Sequence, residues 1–99
     1  MPAAKQRLKD IKKFAQGISD AYAKRIIQQL REKASQLKDN NFDGRPIPEL
    51  NDKNVRQLLI GQYRIIYRII SDSEAHILTF WHSSKPLNPD QDIEFEYED

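Results

Sequence analysis

The stretch QLLIGQYRIIYRII, residues 57–70, has the pattern of a β-hairpin. Gly61 and Gln62 interrupt its apolar residues, and glycine in the first position of a two-residue loop is typical of a type II′ hairpin turn. After the turn, alternate residues form one wholly apolar or aromatic set: Tyr63, Ile65, Tyr67 and Ile69. The other set is mixed: Arg64, Ile66, Arg68 and Ile70. Because strand side chains alternate between faces, the stretch predicts a strand with one core face and one mixed face.

On either side of this strand, the same alternating pattern predicts two more strands. Residues 55–60 (VRQLLI) precede the turn, and residues 75–81 (AHILTFW) follow a second turn at residues 71–74, which together give an antiparallel meander. Residues 39–54 are rich in Asn, Asp, Gly and Pro and are predicted to be a connector, in which residues 45–50 form a short edge strand.

Upstream of the connector, residues 3–38 predict two helices. Apolar residues recur at three- and four-residue spacing in both halves. The first stripe is Leu8, Ile11, Phe14, Ala15 and Ile18; the second is Ala23, Ile26, Ile27, Leu30, Ala34 and Leu37. Gly17 interrupts the pattern, and Ser19 or Asp20 offers an N-cap. The predicted fold is α+β: an N-terminal helical hairpin packed on a three- to four-stranded antiparallel sheet.

The hairpin register assigns each strand residue to one of two faces. The predicted core face holds Leu58, Ile60, Tyr63, Ile65, Tyr67, Ile69, Leu78 and Phe80. The other face holds Val55, Gln57, Leu59, Arg64, Ile66, Arg68, Ile77, Thr79 and Trp81. We interpret it as an exposed binding surface, with Trp81 beside Arg64 as a cation–π pair. The alternative is that the chain's own tail covers this face and its acids pair with the two arginines.

Composition limits the other possibilities. The 99 residues fit one domain, and no apolar run reaches the length of a membrane span. The basic start lacks the apolar core of a signal peptide, so we expect a cytoplasmic protein without a membrane. Without cysteines there is no thiolate metal site, and the two distant histidines do not suggest another, so no metal and no small-molecule cofactor are expected.

Charge is distributed unevenly along the chain. Six acids and no bases lie between residues 89 and 99, which leaves sixteen bases against nine acids, about +7, in the first 89 residues. A basic body with an acidic tail suggests an anionic partner that competes with the tail, although a solubilising tail explains the acids equally well. We predict one domain over residues 1–87 and an acidic tail over residues 88–99, with residues 83–99 poorly fixed.

Three segments resemble the RelE/ParE superfamily of bacterial type II toxins. They are GRPIPEL (44–50), VRQLLIGQYRIIYRI (55–69) and ILTFWHSSKPL (77–87), and the resemblance extends over roughly residues 3–87. It implies a growth-inhibiting toxin neutralised by a cognate antitoxin. The family usually opens with a short strand before the first helix, whereas residues 1–4 look like the helix start itself, so the first edge strand is apparently missing.

The superfamily implies two kinds of target. RelE-like members cleave mRNA on the ribosome, which would make Glu49 a base, Arg64 and Arg68 phosphate clamps, and His82 or Lys85 further catalytic groups. ParE-like members block DNA gyrase by binding. The binding face would then comprise Arg56, Arg64, Ile66, Arg68, Trp81 and Lys85.

The chain's ending favours the ParE-like interpretation. The residues from His82 to Lys85 resemble a ParE-type ending, and the only tyrosine beyond them is Tyr97, deep in the acidic tail. A RelE-like mRNA interferase remains the first alternative, and a non-toxic interaction module the second. Under either toxin interpretation, Arg64→Ala is predicted to weaken toxicity while the fold survives.

Overall fold

The computed structural model describes residues 2–37 and 44–93, with side chains from Lys5 onward. Two helices precede a sheet, as the sequence predicts, and a short helix that was not predicted follows it. The elements are α1 (Pro2–Gln16), α2 (Asp20–Gln36), β1 (Arg45–Pro46), β2 (Val55–Ile60), β3 (Tyr63–Ser71), β4 (Glu74–His82) and α3 (Pro89–Asp92). The predicted α+β class is confirmed.

The helical hairpin forms where the sequence predicts it. The hydroxyl of Ser19 accepts a hydrogen bond from the backbone N–H of Tyr22 at 3.0 Å, which confirms Ser19 as the N-cap of α2. Most residues of the two predicted stripes are buried or half-buried between the helices and the sheet. Phe14 and Ile18 are exceptions, because their side chains are 67% and 64% exposed. Their assignment to the core stripe is wrong: Phe14 lies in the last turn of α1 and Ile18 just after the helix, and both side chains are exposed.

The sheet is a four-stranded antiparallel meander in the order β1-β2-β3-β4. Gly61 turns the first hairpin with a φ of +57°, and Ile60 pairs with Tyr63 in the predicted register. Arg64 pairs with Trp81 in the second hairpin, also as predicted. The predicted edge strand over residues 45–50 is real but covers only Arg45–Pro46.

A bulge in β4 changes part of the predicted face assignment. Ile66 pairs with Thr79, but Tyr67 pairs with Ile77, so Leu78 is an extra residue in the ladder. Ile77 consequently packs against the core on the helical side, and Leu78 is buried on the opposite side. The predicted positions of Ile77 and Leu78 are therefore exchanged.

Both faces of the sheet are covered. The first core lies between the helices and the sheet. The second core lies on the opposite face and consists of Ile47, Val55, Ile66, Leu78, Trp81, Leu87 and Ile93, with Leu50 at its margin. The interpretation of this face as an exposed surface is wrong for most of its apolar residues, because the connector and the C-terminal segment bury them; Leu59, 62% exposed, is an exception. The interpretation of residues 83–99 as poorly fixed is also wrong for residues 83–93, where Leu87 and Ile93 are buried.

Candidate functional site

Arg64 and Glu49, two predicted site residues, form one ion pair in which the arginine is buried and the glutamate stays partly exposed. Two guanidinium nitrogens of Arg64 donate to the two carboxylate oxygens of Glu49, each at 2.8 Å, and its Nε donates to the side chain of Gln57 at 2.6 Å. Arg64 lies on the face away from the helices, as predicted, but it is only 7% exposed. The pair therefore fastens the connector to the sheet, with Arg64 shielded from solvent and Glu49 at the surface.

This pairing limits what Glu49 can do as a base. The hydrogen bonds from Arg64 lower the pKa of the Glu49 carboxyl below its ordinary value of 4.5. A carboxylate with a lowered pKa is a weak proton acceptor near neutral pH. Both of its oxygens already accept hydrogen bonds from the group predicted to hold the phosphate. The two residues would have to separate before either could act on RNA.

Arg56 and Arg68 lie elsewhere on the sheet. Arg56 donates to the carbonyl oxygens of Lys53 and Gly44 at 2.9 and 3.1 Å, so it holds the connector. The N–H of Gly44 donates to the Tyr67 hydroxyl at 2.9 Å, and a Cβ at Gly44 would collide with that hydroxyl. Arg68 is half-buried and lies four residues from Arg64 along β3, which corresponds to about 13 Å.

His82 belongs to the opposite face from Arg64. It pairs in register with Tyr63, and the two rings meet edge to face with centroids 5.1 Å apart. One imidazole nitrogen contacts the Gln62 side chain at 3.2 Å, and the other contacts the Ser84 hydroxyl at 2.6 Å. Burial raises the pKa of the Tyr63 phenol, which keeps its hydroxyl neutral. His82 thus lies in a hydrogen-bonded turn and does not converge with Glu49 and Arg64.

Trp81 has a different cation from the one predicted. The guanidinium of Arg7, from α1, lies 5.0 Å from the centre of the indole ring, whereas the guanidinium of Arg64 is bound to Glu49. The indole N–H donates to the carbonyl oxygen of Lys85 at 3.1 Å, and the Lys85 side chain is exposed. The predicted Arg64–Trp81 cation–π pair is therefore wrong, and Arg7 is a residue that the sequence analysis missed.

A cleft of about 220 Å³ lies between α1 and the end of β4, and we call it the α1–β4 cleft. Its lining is mostly aromatic and aliphatic, with a basic rim. The lining residues are Arg7, Asp10, Ile11, Phe14, Tyr63, Phe80, Trp81, His82, Ser84 and Lys85. The sequence signal for it was weak, because a single helix face supplies both buried Ile11 and exposed Phe14.

The described residues also bear on metal and membrane binding. Residues 2–37 and 44–93 contain no group of three or more His, Asp or Glu side chains placed to hold a metal ion. Within the same ranges, none of the helices combines the length and the apolar character needed to cross a bilayer.

Comparison with known proteins gives the family. The model of a family described as "ParE toxin of type II toxin-antitoxin system, parDE" matches residues 1–87, and no individually curated protein matches significantly. The match includes both helices, the whole sheet and the α1–β4 cleft. The chain belongs to this ParE toxin family, within the RelE/ParE superfamily of type II toxins, and membership implies an antitoxin as its partner.

Proposed function

We propose that this toxin arrests growth by binding DNA gyrase, without chemistry of its own. The observation that supports the proposal is the placement of the five residues that a ribonuclease would need. Glu49 and Arg64 neutralise each other under the connector, and His82 lies on the other face of the sheet. A ribonuclease needs its base, acid and phosphate-binding groups within reach of one phosphate.

The helical hairpin offers a contact surface in place of the buried sheet face. Phe14 lies in the last turn of α1 and Ile18 lies just after the helix, and both side chains are largely exposed. Exposed lysines, including Lys12 and Lys13, flank them. Large apolar residues within a basic surface are typical of a protein-binding site, and gyrase would contact them here.

An exposed residue on the sheet provides a matched control for this surface. Leu59 on β2 is 62% exposed, close to the value of Phe14, but it projects from the other side of the molecule. Its truncation removes a similar amount of exposed apolar surface without touching the hairpin.

A supercoiling assay with purified gyrase tests the proposal. We expect the wild-type toxin to inhibit supercoiling and Phe14→Ala to raise the half-inhibitory concentration about tenfold, as expected when a residue at the centre of an interface is truncated. Leu59→Ala should stay within about twofold. Equal loss in the two variants would argue against the hairpin as the gyrase-binding surface.

Two further measurements distinguish the alternatives. Codon-spaced cuts in primer extension on cellular mRNA, with supercoiling unaffected, would support the RelE-like ribonuclease and restore catalytic roles to Glu49, Arg64, Arg68, His82 and Lys85. Normal growth on induced expression without the antitoxin would support the non-toxic interaction module. If expression slows growth, co-expression of the cognate antitoxin should restore it, since we propose that the antitoxin neutralises the toxin.

A further inference from the structure

A groove runs along the outer side of β4. A second cavity continues from the α1–β4 cleft, and the two share Arg7 and Asp10. The residues lining the second cavity are Gln6, Arg7, Asp10, Thr79, Gln91, Asp92 and Ile93. The second cavity lies between α1 and residues 91–93, with Thr79 as its contact with β4. Because the two cavities share Arg7 and Asp10, we treat them as one groove from Ile93 at one end to Lys85 at the other.

The outer edge of β4 has no strand beside it in the part of the chain that the structure describes. The sheet order places β4 last, so its outward backbone groups have no ladder partner among residues 2–37 and 44–93. Such an edge accepts an extended segment readily.

The described chain reaches this edge at Ile93. The backbone of Ile93 is extended, with φ −114° and ψ 124°, and its side chain is 6% exposed in the second core. Six residues, EFEYED, follow at positions 94–99, outside the described residues. At about 3.3 Å per residue they span up to about 20 Å. The cleft begins at Phe80 and Trp81, next to Thr79, so the segment is long enough to reach it.

The chemistry of residues 94–99 complements the groove. Two aromatic residues, Phe95 and Tyr97, alternate with Glu94, Glu96 and Glu98. In an extended segment, the aromatic residues lie on one side and the acids on the other. The groove offers apolar walls for the former. Arg7 and Lys85 at its rim offer cations for the latter, and Asp10 and Asp92 line the groove as well.

We propose that residues 94–99 dock in the α1–β4 cleft of the same molecule, with Phe95 and Tyr97 against its apolar walls. The acidic tail then occupies the α1–β4 cleft of its own molecule. Any partner that uses this cleft must first displace the tail. The proposal is independent of gyrase, since it concerns the isolated toxin.

Trp81 makes the docking measurable, because it is the only tryptophan in the chain and lines the cleft. The full-length toxin is compared with a variant that ends at Ile93, using acrylamide quenching of Trp81 emission. Trp81 is 7% exposed, and docking should protect this accessible part of the indole. The truncated variant should therefore be quenched about twice as strongly, and a synthetic EFEYED peptide should reverse the difference. The free peptide needs millimolar concentration, because it lacks the high effective concentration of a linked segment.

Full-length variants test the aromatic contacts and the charge contacts of the tail separately. Phe95→Ser with Tyr97→Ser keeps every charge, and it should raise quenching to the truncated level. Lys85→Glu reverses the rim charge and should raise quenching partly, whereas Lys24→Glu, on the exposed surface of α2, should not. Far-UV circular dichroism and the thermal transition establish that each variant is folded. If the truncated variant is unfolded, the full-length double serine variant provides the test instead.

Two results would overturn the proposal. Equal quenching of folded full-length toxin and the double serine variant would mean that the tail leaves Trp81 untouched. Protection that disappears on dilution would mean that the tail occupies the cleft of a second copy instead. Both results are obtained without gyrase, so they leave the proposed target unaffected.

Discussion

At the scale of single residues, the Glu49–Arg64 pair illustrates what the sequence could and could not predict. Strand alternation correctly placed Arg64 on the face away from the helices. Its partner could not be predicted, because Glu49 lies in an irregular connector whose path no periodicity reveals. Removing Arg64 would leave the Gln57 amide and the partly exposed Glu49 carboxylate without their partner, at a cost of about 1–2 kcal/mol. The prediction that the fold survives Arg64→Ala therefore stays a prediction, now with an expected loss of stability.

The lowered pKa of Glu49 makes stability depend on pH. Because the folded pKa lies below the ordinary value of 4.5, Glu49 stabilises the fold above that value, and its contribution is lost as the pH falls through the folded pKa. Glu49→Gln removes this dependence. We expect denaturation midpoints of the wild type to fall more steeply than those of Glu49→Gln between about pH 5 and 3. Glu32→Gln, on the surface of α2, is the control.

Parallel stability curves for the wild type and Glu49→Gln would contradict this expectation. They would mean that the carboxylate gains nothing from Arg64 in solution, despite two hydrogen bonds of 2.8 Å.

At the scale of elements, the sequence predicted the helices and the first hairpin but not the bulge. Hairpin pairing follows from a glycine turn and strict alternation, and both are visible in the sequence. At the bulge, Ile77 and Leu78 are both apolar, so either residue satisfies either face. Only the packing of the two cores selects Leu78 for the side away from the helices.

The N-cap of α2 provides a test of the hairpin. Ser19→Ala removes the hydroxyl that accepts from the Tyr22 N–H, and should lower the free energy of unfolding by about 1 kcal/mol. In a domain of this size, this loss corresponds to about 4–8 °C in Tm. Ser35→Ala, near the end of the same helix and exposed, should change Tm by less than about 2 °C. Equal effects of the two substitutions would argue against the cap.

At the scale of the whole molecule, the second core explains why the predicted binding surface is not exposed. Its cover comes from isolated apolar residues in irregular segments, chiefly Ile47, Leu87 and Ile93. Single apolar residues in loops have no pattern that distinguishes anchors from exposed positions. The alternative prediction, a face covered by the chain's own tail, is correct in that Leu87 and Ile93 of the C-terminal segment help to cover the face. It is wrong about the charge, since the described acid that binds Arg64 is Glu49 of the connector.

Truncation of a cover residue measures the contribution of the second core. Ile93→Ala removes a buried side chain and should lower the free energy of unfolding by about 2–4 kcal/mol. Ile70→Ala is the matched control, because Ile70 is 47% exposed at the end of β3, and it should cost under about 1 kcal/mol. Urea denaturation of both variants gives the comparison. Similar losses would mean that the C-terminal segment does not pack on the sheet in solution.

The covering of the sheet by Ile93 has a consequence for synthesis. While a new chain folds, one face of the sheet stays apolar and exposed until residues 87–93 pack on it, because Leu87 and Ile93 supply part of its cover. The new toxin chain therefore passes through an incompletely folded stage with an exposed apolar surface. Chaperones or proteases that survey new chains have their best opportunity to capture it at that stage.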